Sequence, residues 1–453
     1  MAEPVAAAAR APARDRARGV RGALDGARIA VDARYVRREG TGIHRYLLDA
    51  IDVLSEAGAE VTLLTNFPVP ALDARCARAR YISFGSRYNV VWDQWSLPSL
   101  LRRQHYDLYW APANAGVPLF APHRLWVVCT THDVVQLRLP GIYLKNRWSY
   151  SAAYLIWTAA AMLRSDTVLT VSSASACDIR RLLRRRSTVV PSYLKAQGRD
   201  NNGREGAGEA DVPVDADVPV DADVPSGADV LADADLPVGG GELPAELRGR
   251  EYLVYTGGLD PRKNVVGLLA GFSLARDAHP GLLLAITGSR SEWLSSQLAE
   301  SCLVGDVVQL GYISEATKAA VLEGALGLVY PSLYEGFGLP LLEAFAAGLP
   351  VVTARNSALE EIAGDAAVYV APNEPASVAR GILEVVEDAQ ARQSLRERGR
   401  QRLALYAPEK AREALVAVFA AAVAGVTSQQ RWWRVGALRD LGYWRDREDK
   451  HIG

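Results

Sequence analysis

Short apolar runs alternate along most of the chain with stretches in which apolar positions recur every three or four residues, the pattern of buried parallel strands separated by helices. Strand-like runs fall at 28–33, 60–65, 107–112, 126–133, 166–171 and 188–191, and again at 252–257, 282–288, 307–312 and 326–330. After 28–33 a polar loop leads to Gly40-Thr-Gly42, and from Ile43 the positions Tyr46, Leu47, Ile51 and Leu54 repeat with helical spacing. The stretch 326–353 is the most legible: Pro331 ends a strand, a helix begins near Pro340, Gly348 stops it and Pro350 opens the next strand. Residues 314–326 predict the helix before it, 357–372 continue the alternation, and helices dominate from 375 to 425. Two doubly wound α/β domains are therefore expected.

Between them the pattern stops. Asp-Val-Pro-Val-Asp-Ala occurs at Asp211 and again at Asp217, in a segment rich in Asp, Pro and Gly that has too few large apolar residues to offset its ordering entropy. The chain then divides into a disordered tail (1–23), a first domain (24–192), a disordered acidic insertion (193–246), a second domain (247–411) and a last helix with a basic, aromatic tail (412–453). Asp215 and Asp217 resemble a paired-aspartate metal motif only superficially, since no strand precedes them.

The 453 residues suffice for two full cores, and 49% hydrophobic with 23% charged residues is ordinary for a globular protein. A net charge of −1 exerts no global pull on nucleic acid. Cys76, Cys129, Cys177 and Cys302 form no Cys-x-x-Cys pair, so neither a zinc site nor a disulfide framework is indicated and a reducing cytoplasm fits. The apolar segments 151–163 and 414–426 are shorter than a membrane span and read as buried helices. Arg180, Arg181, Arg184, Arg185 and Arg186 read as a solvated helix face, with anionic lipid or a pyrophosphate-linked acceptor as the alternative; the tail's Arg431-Trp-Trp-Arg and Tyr443-Trp-Arg read as packing or as attachment to a membrane surface.

The candidate chemistry lies in the loops after strands. Glu335, Gly336, Phe337 and Gly338 separate a strand from a helix, where glycines let the backbone approach a ligand and free N–H groups favour phosphate. Amides around Phe337, Gly338 and Leu339 would face that anion. Glu343, read as lying in the helix's first turn, suits neutral hydroxyls such as those of a ribose, and Glu335 is free in the loop to meet another part of the ligand. Gly42 opens a second strand–glycine–helix unit that fails as a dinucleotide fingerprint, because Arg45 stands where the third glycine belongs, but suits a loop whose backbone at Gly42 meets a diphosphate, with a simple helix-entry turn as the alternative. His132 ends a buried strand, where open α/β sheets bind ligands. Gly257 ends another strand and is followed by Arg262 and Lys263, a planar donor and a point charge suited to a diphosphate.

Tyr-Pro-Ser-Leu-Tyr-Glu-Gly-Phe-Gly-Leu-Pro-Leu-Leu-Glu at 330–343 resembles the donor-site signature of retaining two-domain glycosyltransferases of family 4 (group 1), which have the GT-B architecture and two glutamates separated by seven residues. His132-Asp133 and Asp-Pro-Arg-Lys-Asn at 260–264 look most like the mannosyltransferases of that family. The resemblance implies a nucleotide-diphosphate sugar as donor, GDP-mannose or a UDP-sugar, with no cofactor and no metal. The acceptor would be a glycan or lipid-linked glycan, met in the cytoplasm or at the inner face of the cell membrane. It further implies that Arg262 and Lys263 stabilise the departing diphosphate, Glu335 orients the sugar, Glu343 holds the ribose, His132 meets the sugar from the opposite domain, and the last helix crosses back to the first domain. An arginine that some members carry near Gly258 is missing here, so Arg262 would act alone or with Lys263. A nicotinamide enzyme, a sugar phosphorylase and a scaffold without activity are the rival readings.

Overall fold

A computed structural model describes residues 22–37, 42–68, 78–194, 241–288 and 290–427, with the side chains of 144–155, 426 and 427 left out. Most of the acidic insertion, the N-terminal stretch and the basic, aromatic tail lie outside the described residues.

The first sheet holds seven parallel strands in the order β3-β2-β1-β4-β5-β6-β7. They are β1 (Arg28–Asp32), β2 (Glu60–Thr65), β3 (Arg80–Ser83), β4 (Leu108–Ala111), β5 (Trp126–Thr130), β6 (Thr167–Thr170) and β7 (Thr188–Val189). The second holds six in the order β10-β9-β8-β11-β12-β13: β8 (Tyr252–Thr256), β9 (Leu283–Thr287), β10 (Val307–Gly311), β11 (Gly327–Tyr330), β12 (Val351–Ala354) and β13 (Ala367–Val370). In both, the chain runs outward over three strands and returns beside the first, so strand order reverses between β1 and β4 and between β8 and β11. The carboxyl ends at such a reversal splay the loops apart and leave a crevice, the usual ligand site of open α/β sheets.

The helices that flank this crevice or tie the two halves together are α1 (Gly42–Glu56), α2 (Pro140–Arg164), α3 (Ser173–Leu183), α4 (Glu315–Gly324), α5 (Leu339–Ala346), α6 (Ser357–Ala363) and α7 (Pro408–Thr427). The helical repeat after Gly42 buries Leu47, Ile51 and Leu54 of α1 on one face of the first sheet, against Val31 and Trp110. Trp92, Leu97 and Leu101 cover the other face. The second domain closes over Leu253, Val254, Phe272, Leu284 and Phe345. Helix α7 buries Leu415, Val418 and Phe419 in the first domain's core, with the Phe419 ring edge-on to Trp110 at 5.4 Å. No helix among the described residues is long and apolar enough to cross a membrane.

The apolar pattern misses β3. Both ends of Arg80–Ser83 are exposed and its middle is half-buried, because it is an edge strand with little core to cover. The run at 107–112 is consequently the fourth strand of its sheet.

Candidate active site

Strand β8 leaves its sheet at Gly257 (φ +143°), where an added Cβ would lie 3.0 Å from Lys263 Nζ. The tight turn Pro261–Lys263 is pinned by Asp260, whose Oδ1 accepts from the Arg262 amide at 2.9 Å. Asn264 ties the turn to the neighbouring strand exit by donating to the Pro331 carbonyl at 3.2 Å. Both cations thereby reach the loop after β11. Arg262 Nη1 donates to Glu335 Oε2 at 2.6 Å, and Lys263 Nζ lies 3.8 Å from Oε1 while donating to the Tyr330 hydroxyl at 2.8 Å. Tyr330 and Ser332 in turn donate to Glu335 Oε1 at 2.8 and 3.1 Å.

Burial by itself would raise the Glu335 carboxyl, but the charges of Arg262 and Lys263 and the hydrogen bonds from Arg262 and Tyr330 outweigh it and hold it at about 2. Burial pulls the Lys263 ammonium below its ordinary value, and Glu335 works against that pull. Burial and the nearby carboxylate push the Tyr330 phenol up, which keeps it a donor. Glu335 is thus held in its loop by hydrogen bonds, and Arg262 is held between Glu335 and Asp260. A carboxylate offers about four acceptor directions. Oε1 is engaged by Tyr330 and Ser332, while Oε2 accepts from Arg262 alone among the described residues.

Helix α5 starts at Leu339 with Gly338 as its N-cap, at φ +116°. That left-handed backbone suits glycine, and a Cβ there would come within 3.1 Å of Leu359 Cδ2. The amides of Phe337, Gly338 and Leu339 lie at the positive end of the helix dipole. The Phe337 ring itself is buried edge-on to Tyr406 at 5.7 Å, so its backbone alone can meet a ligand. Because the helix begins at Leu339, Glu343 sits in the second turn and not the first. Its Oε1 accepts from Lys318 of α4 at 2.8 Å and from Arg45 of α1 at 3.1 Å, and Arg45 also pairs with Glu315.

Arg45 belongs to the other domain, and the two halves meet here along a continuous seam. A Cβ on Gly42 would lie 3.5 Å from Leu339 Cδ1, and one on Gly336 only 2.5 Å from the His132 carbonyl oxygen. Ser172, which caps α3, donates to the Gly336 carbonyl at 2.6 Å. Glu361 of α6 accepts from the first amides of α3, those of Ser173 and Ala174, at 3.1 and 2.9 Å. Tyr143 of α2 donates to Asp260 at 3.0 Å. His132 is half-buried; its Nε2 meets the Pro112 carbonyl at 2.8 Å, so Nε2 carries the proton and Nδ1 is left an acceptor. Its ring stands edge-on to Tyr46 at 5.1 Å. Burial lowers its basicity, with the Pro112 carbonyl opposing, which favours a neutral imidazole.

The structure therefore brings Gly42 and His132 from the first domain to the same seam as Gly257, Arg262, Lys263, Glu335, Phe337, Gly338, Leu339 and Glu343 from the second. Sequence reasoning missed Tyr330, Ser332, Lys318 and the pairing of Arg45. Tyr330 and Ser332 had a signal in their position at the strand exit before Glu335; Lys318 had none, since it lies two elements upstream. The arrangement places fixed cations and helix amides on one side of the seam, carboxylates that can accept from hydroxyls beside them and a neutral imidazole on the other side. Such a site stabilises negative charge on a leaving group while holding a neutral, hydroxyl-rich partner.

Fold and site together define a GT-B glycosyltransferase. Residues 244–402 match the family model described as glycosyl transferases group 1, and residues 40–193 match that of glycosyltransferase family 4. The chain belongs to glycosyltransferase family 4. It is 29% identical over 378 residues to an O-antigen chain mannosyltransferase B from Escherichia coli, covering 79% of this chain and 90% of that protein. It is 36% identical over 155 residues to a glycogen synthase from Mycobacterium tuberculosis, 33% of this chain and 37% of that one. Among solved structures it resembles WaaG, a glycosyltransferase involved in lipopolysaccharide biosynthesis, with a TM-score of 0.61 and 15% identity over 88% of this chain and 100% of that one.

Proposed function

We propose that this glycosyltransferase moves a mannosyl residue from GDP-mannose, with retention at the anomeric carbon, onto a glycan or lipid-linked glycan in polysaccharide or glycolipid biosynthesis. The observation that carries this reading is the buried Arg262–Lys263–Glu335–Tyr330 cluster beside the N-terminus of α5. Arg262, Lys263 and the amides of Phe337, Gly338 and Leu339 receive the charge that develops on the departing diphosphate, in a site shielded from water where such charge interactions are strong. Glu335 orients Arg262 and offers its remaining Oε2 direction to a sugar hydroxyl. Glu343 takes the ribose hydroxyls, exchanging them for its contacts with Arg45 and Lys318. His132 meets the sugar from the first domain through Nδ1. Mannose is favoured because the mannosyltransferase likeness runs over 79% of the chain, whereas the glycogen synthase likeness is confined to 33%. A UDP-sugar donor is the second reading, motivated by that shorter but more identical match.

Thermal denaturation with GDP, UDP and their sugars tests the donor, since a ligand that binds only the folded state raises its melting temperature. GDP-mannose should give the largest shift, and a larger shift with a UDP-sugar would replace it. Anomeric NMR of the product distinguishes retention from inversion. Activity should persist in a chelator and without added phosphate, which separates this reading from a metal-dependent transferase and from a phosphorylase. The reading includes work at the inner face of the membrane, motivated by the aromatic and basic residues at 431–434 and 443–445; failure of the full chain to float with anionic vesicles would remove that part.

A further inference from the structure

Tyr330 carries no charge, yet its hydroxyl stands between two charges of opposite sign. Lys263 Nζ donates to it at 2.8 Å, and it donates to Glu335 Oε1 at 2.8 Å. The direction of this relay follows from the groups themselves: an ammonium has only donors, so the Tyr330 oxygen accepts from Lys263 and its own proton goes to Glu335. Nζ lies 3.8 Å from Oε1, about 1 Å beyond the reach of a charge-assisted hydrogen bond, and among the described residues it makes no hydrogen bond besides the one to Tyr330. The phenol is fixed where it stands. Tyr330 is buried and stacked on Tyr255 with ring centroids 5.7 Å apart, and its carbonyl accepts from Thr353 Oγ1 at 2.8 Å. Tyr255 is anchored in turn, its hydroxyl donating to the Gly258 carbonyl at 2.7 Å.

Lys263, by contrast, is a point charge on a flexible four-carbon stem beside a buried carboxylate. Without the Tyr330 hydroxyl, Oε1 would keep Ser332 as its donor and regain a free direction, while Nζ would lose its acceptor. One movement relieves both, closure of the ammonium onto the carboxylate as a direct buried pair. A cation so paired directs its charge at Glu335 and away from a ligand. Held through Tyr330, the same ammonium still balances Glu335 and keeps two of its three N–H donors for another partner.

We infer that Tyr330 is a positioning residue for transfer: its hydroxyl holds the Lys263 ammonium off Glu335 and so keeps it available to the donor's diphosphate. This rests on the reading of Lys263 as a diphosphate ligand and adds a residue that acts through it. Calorimetry on the full chain with GDP and UDP tests it, using whichever binds the wild type more tightly. Tyr330→Phe should weaken that nucleotide at least about tenfold, the order of one lost hydrogen bond to a charged group, while still melting cooperatively. Adding Glu335→Gln removes the carboxylate that captures Lys263, and should raise the affinity again at least about threefold over Tyr330→Phe alone, whereas damage to two supports of one site would accumulate. The alkaline limb of nucleotide affinity gives an independent readout. Lys263 is faced by Glu335, Arg262, Asp260, Glu343 and the phenols of Tyr255 and Tyr330, and burial holds it below its ordinary value. Burial pushes both phenols up, with Glu335 adding to it, so neither loses its proton in that limb. Direct pairing with Glu335 favours the ammonium, so the limb should move to higher pH in Tyr330→Phe and to lower pH in the double variant. Unchanged affinity in Tyr330→Phe, a further loss in the double variant, an alkaline limb that stays in place, or failure of Tyr330→Phe to fold overturns the assignment. If neither GDP nor UDP binds the wild type, the donor reading fails instead.

Discussion

At Glu335 a carboxylate 7% exposed to solvent faces two cations and two hydroxyls, and its removal leaves Arg262 with the more distant Asp260 as its remaining ion pair among the described residues. Breaking a buried pair by deleting one partner costs about 3–5 kcal/mol, so Glu335→Ala should lose stability as well as transfer. Chemical unfolding should show a drop of about 3 kcal/mol, and kcat should fall at least ~100-fold as the oriented positive charge is lost. The pH dependence follows from the sign of the shift. The Glu335 carboxyl lies at about 2 when folded against an ordinary 4.5, so its contribution is complete above about 4.5 and is lost as pH falls toward 2. Unfolding free energies measured across that window should decline more steeply in the wild type than in Glu335→Gln; parallel curves would mean that the carboxylate is not ionised in its pair. That Arg262, Lys263 and Glu335 stand in loops after strands was legible in the sequence. That one glutamate is fastened by the cations, with Tyr330 and Ser332 completing its shell, required the loops to be folded against each other.

At the scale of elements, the loop between β11 and α5 was legible because strand, glycines, Pro340 and Gly348 all point to the same turn. The role of one glycine was not. Gly336 reads as room for a ligand, yet in the fold it is room for the other domain. A Cβ there would lie 2.5 Å from the His132 carbonyl oxygen and 2.9 Å from Asp133 Cβ, and a backbone carbonyl at a strand end has nowhere to go. Gly336→Ala should therefore separate the two loops. Transfer should drop about 100-fold, the order expected for an ångström-scale misplacement, while each domain keeps its core. Hydrogen exchange should quicken at Ser173 and Ala174, whose amides Glu361 holds; unchanged exchange together with unchanged kcat would show that the contact is slack. Strand β3 escaped notice for a different reason: an edge strand that buries little carries little apolar pattern.

For the whole molecule, the question is how the halves are held in reach of each other. Arg45 of the first domain sits on Glu343 of the second, the carboxylate proposed for the ribose, so nucleotide binding must displace it. Partly exposed pairs of this kind contribute about 0.2–1 kcal/mol. Arg45→Ala should tighten nucleotide binding by up to about fivefold in calorimetry, and weaker binding would mean that Arg45 assists the nucleotide. Helix α7 provides the second tie, through the fully buried Phe419. Phe419→Ala should cost about 3–5 kcal/mol and lower the melting temperature of the first domain; an unchanged unfolding midpoint would mean that the helix is not docked in solution.

The alternation of apolar runs with helical repeats determined the two α/β domains, and the residues after each strand marked the candidate site, because burial leaves a local imprint on sequence. Partners were decided by tertiary structure alone. Arg45 and Glu343 are 298 residues apart, and Tyr143 and Asp260 are 117 apart. A one-dimensional pattern records whether a side chain is buried or capped; which opposite charge it meets depends on how two separately folded domains dock.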